Sequence, residues 1–416
     1  MATEPDAGPS RERDARDSPA EPVGHPLPRV VTVLGIAQII AWGTLFYTPA
    51  ILGPPLCAEL GVALTWFYGS FTAGLAVSGL LAPAVGRAID ARGGREVLAA
   101  GSVPGALALA VLATASGPVS VLCGWLLAGV AMSACLYDPA FATLHALAGR
   151  AYRRSVTALT LFGGLASTVF WPLSQRLLEA HGWRAAFAVY AILHLAVCLP
   201  LHLVGVPRQR GQALRRRAAA AGPEVPAAVP AAGRAFGWLA IALALASFLA
   251  SGIAAHLIGM LTAAGIPIGD AVLVGACLGP MQVVGRIMEF ALGRRLSPLA
   301  AGTAAFALLA CALLVFTQVH GVLALALAFA LPYGFANGVM TIVRGTVPEV
   351  LFGGRDYGAL LGRLARPQFI ARALAPLALA SLLALESGAT IVPWLLAAGA
   401  LVALATYRAA LAAARR

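Results

Sequence analysis

A chain of 416 residues that is 60% hydrophobic and only 11% charged, with a mean hydropathy of +0.85, is not a soluble domain. Such domains carry about 25% charged residues. The formal net charge of +12 comes from arginine alone, because the chain has no lysine. That excludes a P-loop lysine and a Schiff-base lysine, and with them an ATP motor encoded in this chain.

The apolar residues fall in long runs, each near the roughly 20 residues that a helix needs to cross a bilayer. The alternation of a membrane β-barrel is absent, so helices are the available way to satisfy the backbone in lipid. Residues 1–28 are rich in Pro, Ala and charge and are expected to be a disordered tail. Six spans are predicted next, near 30–54, 64–89, 97–116, 119–147, 155–178 and 183–206, giving an N-terminal bundle over 29–206. Residues 207–235, with Arg215, Arg216 and Arg217 and then Ala/Pro-rich sequence, read as a linker. Six further spans, near 236–263, 269–292, 299–318, 321–345, 366–386 and 389–411, make a C-terminal bundle over 236–416.

A charged phrase occurs once in each half. GRAIDARGGR at 86–95 ends span two, and GRIMEFALGR at 285–294 ends span eight, the second span of the second half. A repeat at matching positions implies two similar bundles related by internal symmetry.

The arginines set an expected orientation. With residue 1 inside, only Arg176 and Arg184 lie in or beside an outer loop. The others, Arg87, Arg92, Arg95, Arg150, Arg153, Arg154, Arg294, Arg295 and Arg363 among them, fall inside or at inner helix ends. This is the positive-inside pattern, with both termini cytoplasmic and the protein in the plasma (inner) membrane. The positive charge is spread over many loops, so no nucleic-acid surface is expected. Of the six cysteines, Cys57 alone falls in an outer loop and should react with impermeant thiol reagents. No C-x-x-C pair, H-E-x-x-H or G-x-S-x-G is present, so no metal, cofactor or enzyme activity is expected. The seven His are scattered, and His145, His194 and His202 read as packing residues.

The twelve spans, the 6+6 division with a basic linker and the charged loop after span two resemble the major facilitator superfamily. The family's loop signature is G-x-x-x-D-(R/K)-x-G-(R/K)-(R/K). Gly86, Asp90, Gly93 and Arg95 match it, while Ala91 and Gly94 depart from it. Trp183-Arg184 in HGWRAAF is also similar to the family. The stretch from Trp42 to Leu56, followed by TWFYGSF at 65–71, is most similar to the monocarboxylate and oxalate/formate-type branches.

The resemblance implies two bundles that rock around a central site, with a gate at the cytoplasmic end. Asp90 is expected at the start of span eleven and Glu289 at span five, each near a positive helix N-terminus. Gly86, Gly93, Gly285 and Gly293 belong to the same two loops, with Arg87 and Arg95 bonding across the seam. Arg286 and Glu289, three residues apart, could also pair locally. Arg294 is expected to anchor a helix end.

Charges at helix centres are costly and point to function. Asp138 in CLYDPAF, Arg372 in QFIARALAP and Arg344 in NGVMTIVRG are the candidates, with Arg344 close enough to the headgroups to snorkel. Asp138 is the expected partner of Arg372, with the substrate as its alternative. Trp42, Tyr47, Tyr137, His256, Tyr333, Asn337 and Gln368 are the neighbours that could shape the pocket, together with Gln38, Trp171 and Gln282. The expected function is secondary transport of a small organic anion, acting as a monomer with proton coupling. A proton-coupled drug or metabolite exporter is the alternative, although LFGGLASTVFWP lacks the order of an antiporter motif in span five. A non-transporting sensor would need a soluble domain that the chain does not have room for.

Overall fold

Lipid offers the backbone no hydrogen bonds, so each pass must be a helix. The computed structural model describes residues 27–208, 233–293, 295–353 and 356–415. The expected linker lies largely outside the described residues, as do most of the expected tail and Arg294.

The first pass is two helices, α1 (Leu27–Leu45) and α2 (Pro49–Leu60). It breaks where Pro49 has no N–H to give to the preceding turn. The second and third passes are α3 (Leu64–Arg92) and α4 (Gly94–Ala113). The turn between them rests on Gly93, whose φ of 92° suits glycine alone. The fourth pass is α5 (Pro118–Cys135) and α6 (Tyr137–Ala148), separated by an extended Leu136. The fifth is α7 (Tyr152–Gly164) with the first part of α8 (Ala166–Leu193). Gly182, at φ 81° and ψ 170°, turns the chain inside α8 and starts the sixth pass. That pass ends in a π turn (His194–Cys198) and α9 (Leu199–Gly205). The second half is simpler: α10 (Arg234–Ala263), α11 (Ile268–Leu292), α12 (Pro298–Phe316), α13 (Leu323–Phe352), α14 (Tyr357–Leu383) and α15 (Gly388–Ala414).

Among the described residues, 9 stretches are long and apolar enough to span a bilayer by composition. One of them, Pro118–Gly205, holds the fourth, fifth and sixth passes together. α14 is absent from that set because Arg363, Arg366 and Arg372 lower its hydropathy. The passes therefore number twelve, in two pseudo-symmetric six-helix bundles.

Two apolar cores correspond to the two halves. One runs from Val30 to Val206, the other from Leu239 to Ala410. The first also takes in Tyr357, Leu360, Leu361, Ala365 and Phe369. The start of α14 is thus packed into the N-terminal core, and the helix begins at Tyr357 rather than near 366. Small residues explain this. Gly358 and Gly362 let α14 lie against α3 without side chains between them, and close backbone contact is what holds helices together in lipid.

Prolines leave carbonyls without donors, and neighbouring side chains supply them. Pro139 cannot bond the carbonyl of Cys135; Gln38 Nε2 donates to it at 2.7 Å and to Leu136 O at 3.3 Å. Pro376 frees the carbonyl of Arg372, and Ser251 Oγ donates to it at 2.8 Å. Buried histidines are used similarly: His194 Nε2 lies 2.8 Å from Thr44 Oγ1, and His202 Nδ1 lies 3.1 Å from Ser102 Oγ.

At the end opposite Asp90, Trp183 Nε1 donates to Glu59 at 2.7 Å. Arg184 also binds Glu59, and donates to Ala115 O at 3.0 Å. The HGWRAAF phrase therefore ties the sixth pass to the first and third. Cys57 is not in a loop: it lies within α2 and is 7% exposed, because α2 extends the first pass to Leu60. Ser116, exposed in the connection between α4 and α5, is the better reporter. If the arginine-rich end faces the cytoplasm, Ser116→Cys in a cysteine-free background will react with an impermeant maleimide added to intact cells. Labelling only after the membrane is broken would reverse the orientation.

Candidate functional site

The two halves meet along two seams at the Asp90 end. The first joins α3 to α14. A Cβ on Gly86 would run into the carbonyl of Gly358, and one on Gly362 into that of Ala82. Asp90 closes this seam. Its Oδ1 accepts the N–H of Gly358 at 2.8 Å and its Oδ2 the N–H of Ala359 at 2.7 Å. These are the second and third helical residues of α14, whose own cap position, Asp356, makes no side-chain cap bond. A carboxylate from the other half thus serves as the cap. Such a contact is worth about 0.3–1 kcal/mol, or about 2 when partly buried.

The second seam joins α11 to α7 and uses different chemistry. Glu289 is buried, and it meets side chains rather than backbone N–H groups. Its Oε1 accepts from Arg153 Nε at 2.9 Å and Nη2 at 2.7 Å, and its Oε2 accepts from Thr157 Oγ1 at 2.8 Å. Arg153 Nη1 also donates to Gly293 O at 2.8 Å and to Leu296 O, so it closes the C-terminal end of α11. The local Arg286–Glu289 pair does not form, because Arg153 and Thr157 occupy the carboxylate. Gly285 is not at the seam: it packs inside its own half, against the backbone of Phe335 on α13. Arg87 is exposed, and neither it nor Arg95 makes a hydrogen bond or ion pair among the described residues.

A tyrosine pair adds to the closure. Tyr152 and Tyr357 hydroxyls both donate to Gly345 O, at 2.6 and 2.8 Å, joining α7, α13 and α14 at one carbonyl.

Deeper in, the expected Asp138–Arg372 pair is replaced by another. Arg344 Nη2 donates to Asp138 Oδ1 at 2.9 Å and Oδ2 at 2.8 Å, joining α13 to α6 across the halves. Both residues are 7% exposed, so Arg344 does not snorkel. Arg372 is one helix away and makes no ion pair among the described residues. Its guanidinium lies 5.4 Å from the ring centre of Phe369. It remains within electrostatic reach of Arg344, Asp138 and Tyr47. Arg286 is 6% exposed, its Nε has no partner, and its Nη1 lies against Gly164. Tyr47 feels both Arg286 and Arg372, and Tyr137 feels Arg286 and Arg344. Arg344 and Arg372 of the second half therefore lie about the carboxylate of Asp138, and Arg286 lies beside Tyr47 and Tyr137.

The first half faces them with aromatic rings. Trp42 and Tyr137 have ring centres 5.0 Å apart, Trp42 and Phe46 also 5.0 Å, and Tyr47 and Trp171 5.9 Å. Trp42 is fixed by donating to Gln38 Oε1 at 3.1 Å.

Four candidates serve helix packing instead. His256 Nε2 donates to Pro376 O at 2.8 Å. Gln368 donates to Leu364 O at 2.9 Å and accepts from Ser247. Tyr333 is buried against Phe329 in the second core. Asn337 bonds Tyr333 O at 3.1 Å, one turn back on its own helix.

Sequence reasoning missed Arg153, Tyr152 and Tyr357, and placed Arg286 only at the gate. The signal for Arg286 was its position one turn inside Glu289, deeper in the span.

Removing one partner of a buried ion pair costs about 3–5 kcal/mol, whereas replacing both by apolar residues is often neutral. Asp138→Leu is therefore expected to lower the thermal unfolding midpoint in detergent, and adding Arg344→Leu to restore most of the loss. Simple addition of two losses would show that the pair is not coupled.

The sequence model for the Major Facilitator Superfamily matches residues 33–353. No curated protein matches the chain. Among solved structures, the human organic anion transporter MFSD10 (TETRAN) aligns with a TM-score of 0.69 at 21% identity, covering 92% of this chain and 99% of that one. A variant of the E. coli fucose:proton symporter FucP aligns with a TM-score of 0.67 at 15% identity, covering 92% and 97%. At these identities the structures speak for the fold, and the sequence model, spanning most of the chain, speaks for the family. This chain belongs to the Major Facilitator Superfamily of membrane transporters.

Proposed function

We propose that the chain is a secondary transporter that moves a small organic anion by alternating access, with the Asp90 end as its cytoplasmic gate. The observation that carries this reading is the interior charge. Among the described residues Arg286 and Arg372 make no ion pair, while Asp138 is held by Arg344 and Glu289 by Arg153. An unpaired guanidinium away from water is costly, and an anion entering the centre removes that cost. The exporter alternative needs an interior acid free to receive a cation, and the central one is already neutralised.

The cross-half bonds lie toward one end. Along one face of the fifth pass, Thr157 bonds Glu289, Gly164 touches Arg286, and Trp171, a further two turns on, is 44% exposed. We take the halves to have parted by that level, with the centre reached from the end away from Asp90. In the proposed orientation this is the outward-facing state. An anion bound between the arginines draws the two halves together there. The gate bonds of Asp90 and Glu289, each modest, can then be given up.

Proton coupling follows from the Asp138–Arg344 pair. An anion that takes Arg344 leaves Asp138 as a buried carboxylate without a counter-charge, and that carboxylate then binds a proton. One of the two fold neighbours is an organic anion transporter and the other a proton symporter, so both an anionic cargo and proton coupling occur on this fold. The chain carries both bundles itself and is proposed to act as a monomer in the cell membrane.

Counterflow of carboxylates in proteoliposomes tests the reading. Arg286→Gln and Arg372→Gln should each reduce it by roughly 10- to 100-fold, the loss of one charge-assisted bond. Asp138→Asn should exchange anions without accumulating them in response to a pH gradient, and Asp90→Asn should slow exchange partially. Wild-type rates in both arginine variants, with a cationic or neutral compound as cargo, would sink the anion reading.

A further inference from the structure

The unpaired arginines are contributed by one half only, and the other half faces them mainly with aromatic rings, among them Tyr47 and Tyr137. This rests on the anion reading above and extends it to the body of the cargo. Tyr47 stands at the junction of α1 and α2, within electrostatic reach of both Arg286 and Arg372. Trp171 stands edge-on to it, with an interplanar angle of 83°, and its indole N–H is taken by Tyr47 O at 3.3 Å. Phe46 packs on Tyr47 at 5.4 Å and on Trp42 behind it.

The Trp171 ring is held by that bond, its ring contact is to Tyr47 of its own half, and it is 44% exposed. It lies on the same face of the fifth pass as Thr157 and Gly164, which do meet α11. The positions of α11 that continue this face are Gly279 and Gln282. Gly279 has nothing within 4 Å of where a Cβ would stand. The fixed, exposed indole is thus opposed on α11 by a glycine without a side chain and by the amide of Gln282. An aromatic floor with charges on the opposite wall fits a ligand with one anionic head and a flat apolar body. A small hydroxy acid would set its several hydroxyls against ring faces, with the Trp171 N–H already taken and the single phenol O–H of Tyr47 left to bond them.

We propose that the central site takes an aryl mono-anion: its anionic group is held between Arg286 and Arg372, and its ring lies against Tyr47 and Trp171. A single carboxylate has about four acceptor positions and can serve both guanidiniums. Tyr47 and Trp171 are then specificity residues, acting on the body of the cargo rather than on its charge. The ring stacking and the apolar area it covers should favour an aryl over an alkyl carboxylate by at least about ten-fold.

Full-length protein in detergent can be titrated with acetate, lactate, benzoate and 1-naphthoate, and with benzylamine and benzyl alcohol, following ligand-induced thermal stabilisation. Naphthoate and benzoate should bind at least about ten-fold more tightly than acetate or lactate. Trp171→Ala and Tyr47→Ala should bring that ratio close to one, Trp171→Phe and Tyr47→Phe should keep it, and Arg372→Gln should weaken every carboxylate. Equal affinity for lactate and benzoate in the wild-type protein would overturn the aryl proposal while leaving the anion reading standing. Binding of benzylamine with no carboxylate bound would overturn both. An unchanged ratio in Trp171→Ala and Tyr47→Ala would place the ring elsewhere and also defeat the proposal.

Discussion

A guanidinium inside a bilayer stays there on the strength of what faces it, and the interior arginines of this protein differ in that respect. Arg153 faces Glu289, and Arg344 faces Asp138. Both pairs cross from one half to the other, so each holds the halves together. Among the described residues Arg286 and Arg372 form no ion pair of their own, and the acid within reach of Arg372, Asp138, is bound by Arg344. The joining of the halves by the paired arginines and the cargo proposed for the unpaired ones both follow from this imbalance.

The two seams are related by symmetry in the chain but not in chemistry. The α3–α14 seam is backbone against backbone, made possible by Gly86, Gly358 and Gly362 and finished by a carboxylate on two N–H groups. The α7–α11 seam is a clamp of long side chains, Arg153 and Glu289, with Thr157 beside them. A glycine seam resists separation through contact area and tolerates few substitutions. A side-chain clamp is directional and can break one bond at a time. The charged phrase occurs in both halves, while the surfaces around it differ.

Much of the fold could be read from hydropathy alone, because lipid permits few alternatives to an apolar helix. What escaped was the start of α14, where Gly358, Gly362 and the arginines dilute the apolar signal. The place of Asp90 at that start was legible because its motif carries it. The partner of Asp138 was not. Arg344 and Arg372 are both central arginines on neighbouring helices, and only packing decides which of them meets α6. Arg153 was hidden among the many arginines of the positive-inside pattern. His256 and Gln368 look like site residues in sequence, yet their polar groups go to helix backbone, since a bilayer leaves no water to satisfy those groups.

The donors that Gln38 and Ser251 lend to proline-freed carbonyls also bear on how the protein moves. A proline kink with unsatisfied carbonyls is a soft joint, free to bend as its neighbours shift. Here the kinks at Pro139 and Pro376 are each riveted to a helix of the same half, by Gln38 on α1 and Ser251 on α10. Flexing either one breaks a hydrogen bond in a medium with no replacement. Each half is thereby stiffened at the points where it would otherwise give. The strain of a transport cycle is shifted outward from the kinks, onto the two seams between rigid shells.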